Sequence, residues 1–521
     1  MNRTTLSLIA AGGALAVVTG VAALTAPDGG AADGPAKAAE QRPVDRSSLL
    51  CPAPSSSDLA DTSYTSFTPK SSGAGGKGAA ELVGAPRASE DDGKSGKGDG
   101  KSGKGDGKSG KSGKGDEKAK GRSGEGKPLL AAKSVGKPVT EEVSGADAPA
   151  LVGSADGALA PGWTVQQTTT ISAGSGRGAH GLACGAPDTD FWFPGASTAK
   201  ERSDYVHLTN PDDTAAVVDI ELFGPRGALD SEVGEDIKVP PHSTVPVLLS
   251  TLTDEPQTNV TAHVTASGGR VGAAVQSADD KLGGDWLPAS ADPAGSVVLP
   301  GIPKDATSVR LVAFAPGEAD ADLKLSLAGP NGSITPAGNE TLHVKSGMTA
   351  AVDLGDVTKG EAGSLLLTPT EDSVPVVAAL RVTRGKGARQ ETAFIPATAP
   401  VGDRATAADN RAKGSTLSLV APDKDAKVRI TASAGSEGGA AATKTYTVKG
   451  GTTLAVEPPL PSGLKGSYAL TVESVSGTVH AARTLELPED GVPMFTIQTL
   501  PDDRGTITVP RAEQDLSVLQ K

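Results

Sequence analysis

The sequence predicts an all-β protein with three tandem immunoglobulin-like β-sandwich repeats of about 105 residues. An alternating apolar–polar run recurs at that period as Val218-Asp-Ile-Glu-Leu, Leu323-Lys-Leu-Ser-Leu and Val428-Arg-Ile-Thr. A hairpin signal recurs with the same step, beginning at Gly224 and Gly329. Short strands with period-two alternation, frequent turn signals and no amphipathic helix are typical of β-sandwiches. Landmarks that stay in register indicate a repeat architecture.

The N-terminus predicts export. Arg3 precedes an uncharged, mostly apolar run from Leu6 to Ala26, which is long enough to cross a membrane as a helix. A cleaved signal peptide has the same layout, so an anchored form and a released form both stay open. Pro27 is a poor residue just after a cleavage site, which favours the anchor. We expect a cell-membrane protein, single-pass with an extracellular C-terminal portion, and otherwise a secreted one.

The two cysteines, Cys51 and Cys184, predict a disulfide in an exported chain. In the chain-entropy model, closing a loop of this length stabilises a fold by roughly 5 kcal/mol. The bridge would bring residues 44–70 beside residues 129–190 as one N-terminal β unit. Strands are expected there at Ser47–Cys51 and Thr164–Ile171.

A Lys/Gly/Ser-rich tract lies inside that loop. Between residues 94 and 127 it contains eleven Lys/Arg and five Asp/Glu, whereas the whole chain has a formal charge of −13. It has no apolar residues that could form a core, so we expect a disordered insertion. A polycationic arm that holds anionic wall polymer or lipid head groups is the alternative to a solvated spacer.

Aromatic–proline elements follow the last strand of the first two copies, at Trp286-Leu-Pro and Phe394-Ile-Pro. Phe193-Pro precedes copy one, and Phe495 follows copy three. They are expected to plug one end of each sandwich. They leave open whether the copies pack around a common axis or lie like beads on a string.

The predicted organisation has a membrane or signal segment, an interrupted N-terminal unit and three repeats. The ranges are 1–27 (signal anchor or signal peptide), 28–43 (linker), 44–70 and 129–190 (N-terminal β unit), 71–128 (disordered insertion), 191–295, 296–400 and 401–505 (repeats 1, 2 and 3), and 506–521 (tail).

Several function classes are disfavoured. The folded part is acidic, which argues against nucleic-acid binding. Gly105 to Ser112 matches a phosphate-loop expression, but Lys-Gly repeats flank it where a strand and a helix would be needed, so we expect no nucleotide and no cofactor. The six histidines lack metal-ligand spacing, and no nucleophile motif lies at a usable turn. We predict no catalytic residues and no metal site.

Motifs around the first copy carry a resemblance to a family. They are Cys184-Gly-Ala-Pro-Asp-Thr-Asp-Phe-Trp-Phe-Pro-Gly, Leu208-Thr-Asn-Pro-Asp-Asp-Thr-Ala-Ala-Val and the Val239-Pro-Pro-His-Ser turn. Together they resemble an uncharacterised family of secreted or membrane-anchored envelope proteins of high-GC Gram-positive bacteria. The resemblance covers most of residues 44–505. It implies an envelope location and no established activity.

One candidate binding patch concentrates aromatic side chains in a chain where they are only 3% of residues. It consists of Asp188, Asp190, Phe191, Trp192 and Phe193. Aromatic faces beside carboxylates can bind sugars, whereas the alternative is a hydrophobic plug between the disulfide unit and repeat 1.

The sequence therefore predicts a non-enzymatic extracytoplasmic envelope protein whose sandwiches bind or scaffold other envelope proteins or glycans. A structural stalk or spacer is one alternative. An exported hydrolase with an unrecognised active site is the other.

Overall fold

Period-two alternation produces strands throughout the described chain, which comprises residues 40–70, 77–88, 127–231 and 233–509 of a computed structural model. Within these ranges the all-β prediction is confirmed. The helices described are three single 3-10 turns, at Gly157–Leu159, Leu249–Thr251 and Gly387–Arg389. None of the helices in this part is long and apolar enough to span a bilayer. The predicted signal anchor, most of the Lys/Gly/Ser-rich tract and most of the tail lie outside the described residues.

The strands form four pairs of sheets. The N-terminal sandwich contains β2 (Arg46–Cys51), β3 (Ala60–Phe67), β4 (Ala80–Ala85), β5 (Leu130–Ala132), β6 (Val139–Ser144), β7 (Ala150–Asp156), β8 (Thr164–Ile171) and β9 (Gly178–Ala183). Repeat 1 contains β10 (Asp190–Ala196), β11 (Arg202–Thr209), β12 (Ala216–Gly224), β13 (Gly227–Leu229), β14 (Ile237–Val239), β15 (Thr244–Leu248), β16 (Val260–Ser267), β17 (Gly272–Asp279) and β18 (Gly283–Leu287).

The other two pairs follow in the chain. Repeat 2 contains β19 (Val297–Ile302), β20 (Ala306–Phe314), β21 (Ala321–Ala328), β22 (Ser333–Ile334), β23 (Thr341–Val344), β24 (Thr349–Gly355), β25 (Gly363–Pro369), β26 (Val377–Arg384) and β27 (Glu391–Pro396). Repeat 3 contains β28 (Arg404–Asn410), β29 (Ser415–Ala421), β30 (Ala426–Ala432), β31 (Gly438–Ala440), β32 (Ala442–Val448), β33 (Thr452–Val456), β34 (Ser462–Lys465), β35 (Tyr468–Ser476), β36 (His480–Glu486) and β37 (Phe495–Thr499). Separately, β1 (Glu40–Pro43) pairs with β38 (Thr506–Val509), and β31 pairs with β34 in a two-stranded sheet of their own.

One strand order recurs in all four pairs. In repeat 1 the first sheet is β10-β16-β12-β13, with β14 also on β12, and the second is β15-β11-β17-β18. The N-terminal sandwich has the equivalent sheets β2-β7-β4-β5 and β6-β3-β8-β9. The predicted count of three repeats is therefore not confirmed, because the N-terminal unit makes a fourth. The sequence period missed it since the insertion separates β4 from β5.

The register identifies equivalent positions. Ala80 pairs with Ala132 in the N-terminal sandwich, as Ala216 pairs with Val239 in repeat 1. The insertion is shorter than predicted, because β4 falls inside the range 71–128. The run Ala80-Glu-Leu alternates and buries Ala80 and Leu82 in the core, which makes it a strand rather than part of a disordered tract.

The chain beyond β4 adds to the edge of repeat 1. Ala88 N donates to Thr244 O at 3.0 Å, and Thr244 N donates to Pro86 O at 3.0 Å. Thr244 begins β15, the outer strand of its sheet. Residues 86–88 therefore occupy backbone groups that an edge strand would otherwise expose.

The last strands of the four sandwiches meet around a common axis. Within residues 43–506, β9 contacts β18, β18 contacts β27, β27 contacts β37, and β37 returns to β9. Trp286 packs with Leu182 of the N-terminal sandwich, Phe394 joins the core of repeat 1, and Ile497 joins the core of repeat 2. The aromatic–proline elements therefore connect neighbouring sandwiches.

Candidate functional site

The predicted disulfide is confirmed. Cys51, at the end of β2, and Cys184, just after β9, are bonded with their Cα atoms 4.6 Å apart. Both belong to the hydrophobic core of the N-terminal sandwich. The bond therefore connects the two sheets of that sandwich.

Strand β10 divides the predicted binding patch between two faces. Phe191 and Phe193 point inwards and belong to the core of repeat 1, with ring centroids 6.5 Å apart. Asp190 and Trp192 point outwards, as alternation requires. Asp188 precedes the strand, where its backbone bridges to Val271. Only Asp190 and Trp192 therefore share a surface.

His263 completes that surface, and sequence reasoning missed it. His263 lies on β16, where it pairs with Trp192 of β10 on one side and with Glu221 of β12 on the other. The three side chains therefore form one rung across the sheet. The imidazole stacks on Trp192 with centroids 3.6 Å apart and planes 7° apart. Alternation shows that Glu221 faces outwards, but only the order of strands in the sheet places His263 between Trp192 and Glu221.

Two carboxylates bracket this imidazole. His263 Nε2 lies 3.2 Å from Asp190 Oδ2, and Nδ1 lies 3.2 Å from Glu221 Oε2. Ionised carboxylates can only accept hydrogen bonds, so both contacts are hydrogen bonds only when the imidazole carries two protons. The carboxylates are 56% and 59% exposed, respectively. Their outer oxygens remain accessible to a ligand.

The next rung extends the negative charge. Thr265 pairs with Asp190 on one side and with Asp219 on the other. Asp219 is partly buried and accepts a hydrogen bond from Asp236 N at 2.8 Å. We call Asp190, Asp219, Glu221 and His263 the acidic face of repeat 1.

Beside the acidic face, repeat 1 packs against repeat 2 through aromatic rings. Phe314 of β20 lies 5.4 Å from Trp192 and 4.7 Å from Phe223, measured between centroids. Thr349 Oγ1 donates to Phe223 O at 2.6 Å and lies 2.9 Å from Thr261 Oγ1. We call this contact the aromatic joint. Because Trp192 already stacks on His263 and Phe314, little of its ring face is left for a sugar.

The equivalent contact between repeats 2 and 3 has the same hydrogen bonds and different side chains. Thr453 Oγ1 donates to Ala328 O at 2.7 Å and lies 2.9 Å from Ser364 Oγ. The positions of Trp192, Phe223, His263 and Phe314 are taken by Val298, Ala328, Leu366 and Val420, which form one buried cluster. We call this contact the aliphatic joint.

Other candidate chemistry stays dispersed. All six histidines lie in the described part of the chain, and there none hydrogen-bonds to a serine hydroxyl. Burial lowers the pKa of His180 and of His207 to about 4. Across residues 40–70, 77–88, 127–231 and 233–509, no group of three or more His, Cys, Asp or Glu could hold a metal ion.

Ionisable groups are buried near the axis. Burial raises the pKa of Glu391 on β27 to about 8, with Arg177 opposing the shift. Burial also raises the pKa of Asp285 on β18 well above its ordinary value. Asp285 Oδ1 accepts hydrogen bonds from Gly181 N at 2.9 Å and Thr496 Oγ1 at 3.2 Å. These groups connect sandwiches but face no described cleft.

The fold and the site define an all-β, β-sandwich-like protein with one disulfide and a charged surface patch. The chain belongs to a family of unknown function, DUF5719, whose model matches residues 139–459. This match confirms the prediction of an uncharacterised family. A search of curated proteins found no match.

Proposed function

We propose that this protein is a non-enzymatic, extracytoplasmic envelope protein that binds a basic segment of a partner protein on the acidic face of repeat 1. The observation that carries the proposal is the His263 rung, where an imidazole lies between Asp190 and Glu221. The predicted N-terminal export segment and the resemblance to envelope proteins support the proposed compartment.

The chemistry of the face favours a cation over a sugar. Exposed carboxylates pair with Lys or Arg, whereas sugar recognition commonly uses an open aromatic face, and His263 and Phe314 cover much of the Trp192 ring. Electrostatic complementarity gives such surfaces their association rate and their partner choice. The proposed ligand is therefore a Lys- or Arg-containing protein segment, and a glycan is the second candidate.

Cross-linking in intact cells tests this function. A photo-reactive residue would replace Thr265, which lies between Asp190 and Asp219, in a tagged full-length chain. We expect protein adducts that disappear when Asp190→Asn and Glu221→Gln are introduced together, because the charge is removed while the shape is kept.

The matched control neutralises a similar cluster elsewhere. On repeat 2, His343 Nδ1 lies 2.8 Å from Asp322 Oδ1, and Nε2 lies 3.4 Å from Asp320 Oδ2. Asp320→Asn with Asp322→Asn should leave the Thr265 adducts unchanged. Equal adducts in both variants, or adducts that only glycan-degrading enzymes remove, would contradict the proposal.

A structural spacer is the second candidate function. Contacts between successive last strands around the axis favour one compact body over a flexible string. Solution scattering separates the two, since a string of beads would give a much larger radius of gyration. The hydrolase alternative has no located site among the described residues.

A further inference from the structure

Arg483 is a buried cation without a hydrogen-bonding partner. It lies on β36 across from Leu417, whose side chain belongs to the core of repeat 3. Its side chain is fully buried, and Nε, Nη1 and Nη2 make no hydrogen bond within the described part of the chain. The same position is Val275 in repeat 1 and Leu380 in repeat 2, so the fold does not need an arginine there.

A second unpartnered donor lies beside it. Gln498 pairs with Arg483 across β36 and β37, so both side chains point to the same side of the sheet. Gln498 is 2% exposed, and its amide nitrogen and oxygen also lack partners among the described residues. A Cβ at Gly181 would overlap the Gln498 amide. Gly181 stands where the other sandwiches have Trp286, Phe394 or Ile497, so a large side chain there would fill the space that Gln498 occupies.

The local charge is positive. The acidic groups that act on Arg483 are Asp409, Tyr468 and Asp285. Burial raises the pKa of Tyr468 to about 12, so its phenol adds no negative charge at neutral pH. Asp409 is already paired with Arg411, at 3.0 Å between Oδ1 and Nε. Burial favours the neutral form of Asp285 because it raises the pKa of that carboxyl. One uncompensated guanidinium charge therefore remains in the interior, where an unpaired ion is strongly disfavoured.

We propose that Arg483 and Gln498 bind a small inorganic anion of chloride size at the junction of repeat 3 and the N-terminal sandwich. An anion would neutralise the guanidinium charge and accept hydrogen bonds from the guanidinium and from the Gln498 amide. The full burial of both side chains restricts the ligand to one or a few atoms.

Thermal unfolding of the full-length chain tests the site. Sodium chloride or bromide is compared with sodium gluconate at equal ionic strength, because gluconate is too large to enter. We expect halide to raise Tm by roughly 2 °C in the unmodified chain. Arg483→Leu should abolish the difference, and it introduces the residue that repeat 2 has at this position.

Gln167→Leu is the matched control, because Gln167 occupies the same position in the N-terminal sandwich and is also fully buried. It should keep the halide effect. If Arg483→Leu does not fold, bromide diffraction from the unmodified protein decides: an anomalous peak within hydrogen-bonding distance of Arg483 supports the site. Equal Tm values in halide and gluconate, or a crystal with no bromide at Arg483, would overturn the proposal.

Discussion

The aromatic joint and the aliphatic joint are the same contact filled with different side chains. Thr349 and Thr453 make corresponding hydrogen bonds to the preceding repeat. The aliphatic joint is closed, with Val298 and Leu366 each 8% exposed and Val420 fully buried. The aromatic joint leaves Trp192, Phe223 and His263 partly exposed.

The different side chains of the two joints show which features the packing of neighbouring sandwiches requires. Four small apolar side chains are sufficient to pack one sandwich against the next in this geometry. The indole, imidazole and carboxylates of repeat 1 therefore exceed the needs of packing. The two exposed carboxylates, Asp190 and Glu221, occupy positions that repeat 2 fills with the uncharged Ser296 and Ser326, so the fold does not require charge there. This agrees with the proposed role of the acidic face in binding a partner.

Removing the central ring of the aromatic joint should have the largest effect on stability. Phe314 is 1% exposed and contacts both Trp192 and Phe223. Phe314→Ala should lower the free energy of unfolding by about 3–5 kcal/mol, whereas Val420→Ala at the aliphatic joint should cost about 2 kcal/mol. Urea titration measures both. Equal losses would mean that the rings contribute no more than methyl groups do.

Near the axis, the buried carboxyl of Glu391 should make the stability of the fold depend on pH. Burial raises the pKa of Glu391 to about 8 from an ordinary 4.5, so the folded chain binds more protons than the unfolded chain between these values. Its contribution to stability therefore falls as pH rises from about 5 to 8, by up to about 1.4 kcal/mol per pH unit, and then levels off.

Glu391→Gln should flatten that slope when urea titrations are repeated at several pH values. Asp285 stays in the variant and contributes a slope of the same sign, since burial raises its pKa too. His180 and His207 contribute a slope of the opposite sign below about pH 6.5, because burial lowers the pKa of each to about 4. A slope that is unchanged in Glu391→Gln would show that Glu391 does not hold a proton in the folded chain.

Removing the corresponding threonine hydroxyl should destabilise the two joints equally. Thr349→Val and Thr453→Val each delete one hydroxyl that donates to a backbone carbonyl and keep the shape of the side chain. Each should cost about 1–2 kcal/mol. Because the hydrogen bonds correspond, the two losses should agree within about 0.5 kcal/mol, as measured by thermal or urea unfolding. A large inequality would show that the joints are not equivalent.

Neutralising the acidic face should have the smallest effect on stability. Asp190→Asn with Glu221→Gln changes two exposed carboxylates, and exposed ion pairs contribute less than about 1 kcal/mol each. We expect unfolding free energies within about 1 kcal/mol of the unmodified chain. A larger loss would mean that the carboxylates serve to hold the joint together.

The strands of the three repeats could be predicted because alternation is a local property. Three strands carry a buried core residue at the predicted period of about 105 residues, namely Val218, Leu323 and Val428. The fourth sandwich could not be found in this way, since the insertion removes the fixed spacing between β4 and β5. The same gap hid the strand Ala80–Ala85.

The candidate site could be predicted only in part. Alternation along β10 places Asp190 and Trp192 on one face and Phe191 and Phe193 on the other. Two residues of the predicted patch, Phe191 and Phe193, therefore had to face the core. His263 is 71 residues from Trp192 in the chain and becomes its neighbour through the order of strands. Arg483 gave no signal at all, because a single arginine in an apolar run resembles a surface residue.

The disulfide also determines how the chain would respond to cleavage. Cys51 precedes residue 89 and Cys184 follows residue 126, so one broken peptide bond between those positions leaves two fragments that are still covalently linked. Such a nicked molecule would migrate as a single species until a reductant was added. As long as the disulfide stays oxidised, both halves of the N-terminal sandwich would remain linked after cleavage. The contacts of this sandwich to β18 and β37 would therefore persist.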